Sequence, residues 1–316
     1  MKNSLVHKIG IKAYSILLLK KNNLFNNKLL IITKFPTKNY FKEQIMQSKF
    51  NLEKGIFVRM SSKYTSIKLP KGKFYSIDKA YRFLKDNYKK GLTIIIHKHL
   101  KGKFGGTLTK YKGRLIMEFI KGNWNADYSI NPDIIEFSRK GPILSSFYNR
   151  RRKTAIIKGE DIYHINIEPL NDIECKKIIK AMNKNLNKIY RILNKDDFNS
   201  IEFFIDSKYE FVPFELQCMR KLSYNLRKEG DILKKSFFEV KSVDDLKEWD
   251  GNGEILIDIE CDIDRAEKLL KIIENLKGEV MKVYVKYGLL SHPSILLREA
   301  GLKVNKLTEG YITQRY

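Results

Sequence analysis

The sequence predicts a mixed fold of the α+β and α/β classes, built in two parts. Short segments rich in branched and aromatic residues, typical of strands, alternate with segments whose apolar residues recur every three or four positions, typical of helices. The 316 residues are 43% hydrophobic and 12% aromatic, so the chain can bury a large core and is not a disordered tail. A chain of this length corresponds to about two domains.

Five short strands are predicted in the first part of the chain, from branched apolar runs bounded by Gly, Lys or Asn. They are Leu29–Thr33, Gly55–Met60, Leu92–His97, Gly105–Thr109 and Arg114–Ile120. A helix is predicted over Ser76–Lys90, with Ser76 as its cap, and a longer one over Asp172–Asn194, with Asn171 as its cap. Two further strands, Ile201–Ile205 and Phe211–Gln217, are joined by a tight turn and predict a hairpin.

A polar stretch over residues 218–252 predicts a domain boundary near residue 230. The first predicted domain covers residues 1–225 and the second covers residues 230–316. The second begins with strand Glu254–Ile259, helix Asp264–Leu276 and strand Val280–Tyr287, followed by a helix over His292–Ala300. This order predicts a small α/β unit with a helical crossover between parallel strands.

Positive charge is concentrated in the first two-thirds of the chain. The formal net charge is +25, yet residues 1–200 carry 42 basic and 15 acidic side chains, and residues 201–316 carry 19 and 21. One explanation is codon bias in an AT-rich genome, since Lys outnumbers Arg 48 to 13. The other is a surface that binds an anion, such as nucleotide phosphate, nucleic acid or a membrane.

The cysteines and the apolar runs indicate a soluble cytoplasmic protein. Cys175, Cys218 and Cys261 are 43 residues apart each time and form no CxxC pair, which favours neither a zinc knuckle nor a disulfide framework. No secretory signal is apparent, and no apolar run approaches the ~20 residues of a membrane span. We therefore expect no membrane partner.

The strongest local motif lies at residues 287–301, where a strand ends at Gly288 and His292 follows in the first turn of a helix. The unpaired backbone N–H groups at a helix start suit a bound or covalent phosphate, and histidine is a competent nucleophile near neutral pH. The residues alone leave two interpretations open, a phosphate-carrying histidine and an ordinary surface histidine before a helix.

This segment resembles the phosphohistidine motif of phosphoenolpyruvate synthase and pyruvate phosphate dikinase, Gly-Gly-x-Thr-Ser-His-x-Ala-Ile-x-Ala-Arg-Glu-x-Gly. The residues that match are Gly288, Ser291, His292, Ile295, Arg298, Glu299 and Gly301. The resemblance implies a small swivelling phosphohistidine domain in which His292 carries a phosphoryl group and Arg298 steadies it. Tyr287, Leu290 and Leu297 depart from the pattern.

The predicted hairpin carries a second candidate site. Glu215 and Gln217 are two residues apart on one strand and share a face, and Glu202 lies on the partner strand. Two carboxylates and an amide oxygen suit Mg²⁺, although an ordinary half-exposed hairpin has the same composition. The spacing resembles the metal site of the ATP-grasp enzymes, which have an acid on one strand and Glu-x-Asn thirteen residues later.

Two segments near the N-terminus extend the resemblance to the dikinases. Gly10-Ile11-Lys12-Ala13 is similar to their Gly-Gly-Lys-Ala segment, and Val58-Arg59-Met60-Ser61-Ser62 to their Val-Arg-Ser-Ser strand. The resemblance implies that Lys12 and Arg59 bind ATP phosphates. A guanidinium can bridge two phosphate oxygens in a way that a lysine cannot.

Taken together, these resemblances imply an ATP-grasp nucleotide domain followed by a phosphohistidine domain. The implied activity is an ATP-dependent phosphotransferase with ATP and Mg²⁺ as cofactors, passing a phosphoryl group through His292 to an unknown acceptor or partner subunit. The family's phosphoenolpyruvate barrel is missing from this sequence.

Two alternatives stay open at the level of sequence. One is a degenerate family member that binds nucleotide, or nothing, and regulates a partner. The other is a basic nucleic-acid-binding protein, since Arg150-Arg151-Arg152-Lys153 follows Phe147 and Tyr148 and basic residues beside aromatics suit such a surface. The same run is equally consistent with a solvated loop. His97 and His99, on one strand face, form a candidate metal pair.

Overall fold

The computed structural model divides the chain into two compact units. The first unit comprises residues 1–101, 191–198 and 212–217, and the second comprises residues 102–190, 199–211 and 218–316. The structure describes residues 4–62, 69–100, 102–122, 132–146, 152–158, 161–193, 197–218, 226–228, 237–242, 244–249, 254–257, 283–285, 288–289, 294, 297–298 and 302–308.

The first unit is a four-stranded antiparallel sheet with helices. Its helices are α1 (Ser4–Ile9), α2 (Ile11–Lys21), α3 (Lys38–Gln47) and α4 (Ile77–Asn87). Its sheet contains β1 (Leu29–Ile32), β2 (Ile56–Ser61), β3 (Lys71–Phe74) and β4 (Thr93–Lys98), in the order β1-β4-β2-β3. All three neighbouring pairs run antiparallel.

One face of this sheet forms a core with α3 and α4. Ile56 and Val58 on β2 alternate with Phe57 and Arg59 and are fully buried against apolar side chains of both helices. The opposite face carries Phe57, Arg59 and His97, because residues opposite each other in an antiparallel pair project to the same side. The three strands predicted here and the helix after Ser76 are confirmed within a few residues.

A six-stranded sheet follows in the chain, in the order β12-β11-β5-β6-β7-β8. Its strands are β5 (Phe104–Tyr111), β6 (Arg114–Lys121), β7 (Asp133–Ser138), β8 (Gly141–Ser146), β11 (Ser200–Ile205) and β12 (Phe211–Gln217). From β11 to β8 every neighbouring pair is antiparallel. A separate hairpin pairs β9 (Arg152–Lys158) with β10 (Asp161–Ile167). The predicted hairpin strands correspond to β11 and β12.

The long helix predicted over Asp172–Asn194 is instead two helices, α5 (Asp172–Asn183) and α6 (Leu186–Ile192). The apolar spacing continues across the break, so periodicity alone could not locate it. Asn185 donates its side-chain amide to the Ala181 carbonyl at 2.9 Å, and this side-chain bond accompanies the end of α5. The predicted cap is confirmed: Asn171 accepts from the Glu174 backbone at 2.9 Å, as part of a full capping box.

The last part of the chain contains a five-stranded sheet in the order β13-β17-β16-β15-β14, with every neighbouring pair parallel. Its strands are β13 (Leu226–Lys228), β14 (Phe237–Val240), β15 (Glu254–Ile257), β16 (Val283–Val285) and β17 (Val304–Thr308). The two predicted strands correspond to β15 and β16 and are parallel, as expected. The predicted helix over 264–276 lies outside the described residues, and the predicted boundary between 225 and 230 stays a prediction.

The mixed α/β class is therefore confirmed. No helix in the described part of the chain combines the length and the apolar character that crossing a membrane requires. The predicted cytoplasmic location stays a prediction.

Candidate functional site

The start of α2 packs directly onto the end of β2, and this contact positions Lys12. The backbone of Gly10 has φ +79°, and a Cβ there would lie 2.7 Å from the carbonyl of Ser62. Only glycine meets both conditions without strain. The backbone N–H of Ala13 donates to Ser61 Oγ at 3.1 Å. The two N-terminal segments singled out by resemblance are thus in contact, although 48 residues separate Ala13 from Ser61.

Within the first unit, three of the predicted site residues form one ionic cluster, which we call the Glu215 cluster: Lys12, Arg59 and Glu215. Arg59 Nη2 donates to Glu215 Oε2. Lys12 Nζ lies 3.6 Å from Glu215 Oε1. Lys12 comes from α2, Arg59 from β2 and Glu215 from β12, so the cluster joins three separate elements.

The cluster is buried except for Lys12. Arg59 is 7% exposed and Glu215 is 8% exposed, whereas the side chain of Lys12 is 34% exposed. Burial alone would raise the pKa of Glu215, but the charges of Arg59 and Lys12 hold that pKa below its usual value. Glu215 is therefore ionised at neutral pH.

A further cation, Lys71, faces the same cluster. Lys71 on β3 is the register partner of Arg59 on β2, so the two side chains lie on one face of the sheet. Lys71 is exposed, and its charge also lowers the pKa of Glu215. Three cations and one carboxylate leave net positive charge at this position, which favours anion binding. Sequence reasoning missed Lys71 because it is one of 48 lysines; only the register with Arg59 identifies it.

The other two residues predicted for the metal site, Glu202 and Gln217, lie on β11 and β12. Gln217 is half-buried at the end of β12. Glu202 is half-buried on β11 and belongs to the second unit, where its register partner is Thr107. Among the described residues no group of three or more His, Cys, Asp or Glu could hold a metal ion. The predicted set has only two carboxylates and an amide, so it stays a prediction.

The oxygens of Glu215 are already engaged by Arg59 and Lys12 in this arrangement. Carboxylate oxygens suit Mg²⁺, but an oxygen of Glu215 becomes available only if Arg59 or Lys12 moves to another anion. The donor set therefore fits a magnesium ion that arrives together with a phosphate.

The predicted phosphohistidine segment is described only in part. His292 lies outside the described residues, whereas Arg298 is helical and 2% exposed. A role for Arg298 in steadying a phosphoryl group stays a prediction. Ser294 donates its hydroxyl to the carbonyl of Gly288 at 2.8 Å, with both groups buried.

The turn at the start of this segment packs against the six-stranded sheet, within the second unit. The backbone N–H of Leu289 donates to Glu118 Oε1 at 3.0 Å. A Cβ on Gly288 would lie 2.5 Å from Glu118 Oε2 and 3.2 Å from Pro132 Cγ, so glycine is required for this approach. Glu118 is fully buried on β6, and its register neighbour Thr107 is also the register neighbour of Glu202. In the sequence Glu118 stands among the apolar residues of β6. This pattern could have identified Glu118, but sequence reasoning missed it.

His97 and His99, the candidate metal pair, lie instead against one aromatic ring. Their ring centroids are 5.3 Å and 6.2 Å from that of Phe57. Burial, together with the charge of Arg59, lowers the pKa of His97 to about 4. His97 Nδ1 is 2.8 Å from the Lys98 carbonyl, and its buried Nε2 has no hydrogen-bond partner among the described residues. Of the basic run at 150–153, only the backbone of Arg152 and Lys153 in β9 is described.

No family model matches the chain, and no curated protein matches it. Solved structures that show partial similarity to the chain include D-alanyl-alanine synthetase A from Vibrio cholerae, at 10% identity and TM-score 0.38, with 64% of this chain and 53% of that chain covered. D-alanine–D-alanine ligase from Bacillus anthracis has 16% identity and TM-score 0.39, with 66% and 56% covered. Carboxyaminoimidazole ribonucleotide synthase from Aspergillus clavatus, complexed with ATP, has 12% identity and TM-score 0.36, with 67% and 45% covered.

These neighbours are ATP-grasp ligases, and the chain spans about half the length of each.

Proposed function

We propose that the chain binds ATP at the Glu215 cluster and transfers a phosphoryl group from it to His292, for delivery to an acceptor. The observation that carries the proposal is the convergence of Lys12, Arg59 and Glu215 from three elements in one compact unit. The sequence resemblance implies a phosphate-binding role for Lys12 and Arg59 independently of their contact with Glu215.

The charges of the cluster suit phosphoryl transfer. Lys12 and Arg59 would bind the phosphate oxygens and stabilise negative charge as it shifts toward the leaving group. Glu202, Glu215 and Gln217 would hold Mg²⁺, which when bound neutralises further phosphate charge. Because Arg59 is buried and held by Glu215, its guanidinium is fixed in position before ATP arrives.

His292 is the proposed acceptor of the phosphoryl group. An imidazole nitrogen would form the phosphorus–nitrogen bond as the phosphorus–oxygen bond to the departing phosphate or nucleotide breaks. Arg298 would steady the resulting phosphoryl group. The proposal is supported by the contact of Leu289, three residues before His292 in the sequence, with Glu118 on the sheet that carries Glu202.

The test is incubation of the protein with Mg²⁺ and ATP labelled at the β or γ phosphate, followed by measurement of protein-bound label. We expect an acid-labile phosphoprotein that His292→Ala abolishes, that Glu215→Ala strongly reduces and that the control His99→Ala retains. Calorimetric titration of each variant with ATP separates a loss of binding from a loss of transfer.

Three outcomes would contradict the proposal. Label that persists in the His292→Ala variant would show that another residue, or none of these, accepts the phosphoryl group. Tight ATP binding without label in the wild type would leave a nucleotide-binding protein that is not a phosphotransferase. Binding to RNA or DNA at low salt, without ATP binding, would favour the basic nucleic-acid-binding alternative.

A further inference from the structure

We infer that Glu215 is a specificity-determining residue: it makes the cation cluster select a polyphosphate complexed with a divalent cation over the free polyphosphate. This inference rests on the proposed function, because it concerns the same site. It assigns to Glu215 a role in the absence of ligand, as the internal counter-ion of Arg59 and Lys12.

The contacts show that Glu215 occupies the cations an incoming phosphate would need. Arg59 donates to one carboxylate oxygen, and the Lys12 ammonium lies 3.6 Å from the other. The side chains of Arg59 and Glu215 are 9% and 10% exposed, whereas that of Lys12 is 34% exposed. Lys12 can therefore turn toward solvent and a ligand, while Arg59 and Glu215 stay buried.

A free polyphosphate must compete with Glu215 for both cations. If Lys12 turns to the phosphate and Arg59 donates to the phosphate as well from its fixed position, the positive charge that compensates the buried carboxylate is only partly retained, and an undercompensated buried charge is unfavourable. If the phosphate arrives with a divalent cation, positive charge returns to the site and the carboxylate remains compensated. The predicted consequence is a large difference in affinity between the two forms of the same ligand.

The remaining charge explains why Glu215 does not simply block the site. Lys71 is exposed on the same sheet face as Arg59, so the cluster stays net positive when both other cations are paired. Anions are attracted in either case. Glu215 therefore determines how strongly the site prefers the metal-bound form of the anion over the free form.

The test measures the dissociation constant of inorganic tripolyphosphate, once with a chelator and once with Mg²⁺, by calorimetry. Tripolyphosphate is the probe because it carries the phosphate chemistry of ATP without a base or sugar. Three proteins are compared: the wild type, Glu215→Gln and the control Glu210→Gln. Glu210 is an exposed carboxylate on the turn before β12, and its backbone N–H donates to Asp206 Oδ1 at 2.9 Å.

We expect Mg²⁺ to tighten binding to the wild type and to the control by at least about tenfold. In Glu215→Gln the cations are released, so metal-free binding should become about tenfold tighter and the gain from Mg²⁺ should fall below about threefold. A Mg²⁺ gain in Glu215→Gln equal to that of the wild type would overturn the inference, as would weaker metal-free binding in that variant.

Glu215→Asp covers the case in which Glu215→Gln does not fold. This variant keeps the charge but shortens the side chain, so it holds Arg59 less closely. We expect its Mg²⁺ gain to lie between those of the wild type and Glu215→Gln, and a gain equal to the wild type's would overturn the inference. If the folded wild type binds no tripolyphosphate and no ATP, the proposed function fails too. If it binds both without any Mg²⁺ gain, only the inference fails.

Discussion

Each compact unit contains a buried glutamate that pairs with two cations, and the two sites differ in how the pairs are made. In the first unit Glu215 pairs with Arg59 and Lys12. In the second unit Glu174 pairs with Lys103 at 2.9 Å and Lys121 at 3.1 Å. Both carboxylates are less than one-tenth exposed.

Glu174 is held by hydrogen bonds from several surrounding groups. It closes the capping box of α5, and its Oε2 also accepts from the Asn171 backbone at 3.3 Å. Lys103 further donates to the Tyr209 hydroxyl at 2.6 Å. Burial would raise the pKa of Glu174, but the hydrogen bonds from Lys103 and Lys121 hold it below its usual value. These contacts fix the start of a helix, and this is a structural role.

The Glu215 cluster is looser by contrast. Lys12 lies 3.6 Å from Glu215, beyond ordinary hydrogen-bond distance, and Lys71 faces the cluster from an exposed position. A buried carboxylate with two cations is therefore not by itself a functional site. What distinguishes Glu215 is the looser contact with Lys12 and the presence of a third cation, Lys71, on the same sheet face as Arg59.

We expect His97 to make the stability of the first unit depend strongly on pH, and this is the strongest effect that we predict. Burial lowers the pKa of His97 from 6.5 to about 4, and the charge of Arg59 acts in the same direction. Between these values the unfolded chain binds the proton more readily than the folded chain, so stability falls as pH falls from about 6.5 to 4. The linkage amounts to about 3 kcal/mol over that window.

Urea unfolding of the wild type and His97→Phe at several pH values between 4 and 7 checks this prediction. The apolar ring fits beside Phe25 and Phe57, which already contact the histidine ring. We expect the difference in unfolding free energy between the two proteins to shift in favour of the variant as pH falls. A difference that stays constant across the window would show that His97 does not titrate there.

A smaller effect is expected in the second unit from Glu174→Ala. The variant loses the capping box and two charge-assisted hydrogen bonds, which we expect to lower the free energy of unfolding by about 2 kcal/mol at pH 7. Because the pKa of Glu174 is lowered by folding, the loss should shrink as pH falls below 4.5. Urea unfolding measures it, with Glu210→Ala as the control.

The same variant separates the two kinds of site. Glu174→Ala should leave tripolyphosphate binding unchanged, whereas substitutions in the Glu215 cluster should change it. A change in binding on loss of Glu174 would contradict the structural role assigned to that residue.

The sequence could predict the members of the Glu215 cluster better than those of the Glu174 site. Lys12, Arg59 and Glu215 each lie in a short pattern whose residue types are tied to phosphate or metal chemistry. No sequence pattern singled out Glu174. Its pairing with Lys103 and Lys121 depends on how α5 packs on the sheet, and no local pattern encodes that packing.

Among elements of the fold, strands with one buried face and capped helix starts were predictable, whereas the break between α5 and α6 was not. β2 and β4 have alternating or continuous branched residues that only a sheet buries well. The break between α5 and α6 has no counterpart in the apolar spacing. The roles of Gly10 and Gly288 were also hidden, because each depends on a close approach by residues far away in the chain.

The weakest of the predicted effects concerns Lys71, the third cation that distinguishes the Glu215 cluster from the Glu174 site. Lys71→Met removes the exposed cation beside Arg59 but leaves the buried Arg59–Glu215 pair intact, so the fold should be unaffected. We expect the affinity for tripolyphosphate with Mg²⁺ to fall by about threefold at low salt, with a weaker dependence on salt concentration, as for loss of one exposed charge.

The matched control is Lys79→Met, an exposed lysine on α4, which packs on the opposite face of the sheet. Equal losses in the two variants would mean that the ligand responds to net charge alone, and the position of Lys71 opposite Arg59 would then carry no specific role.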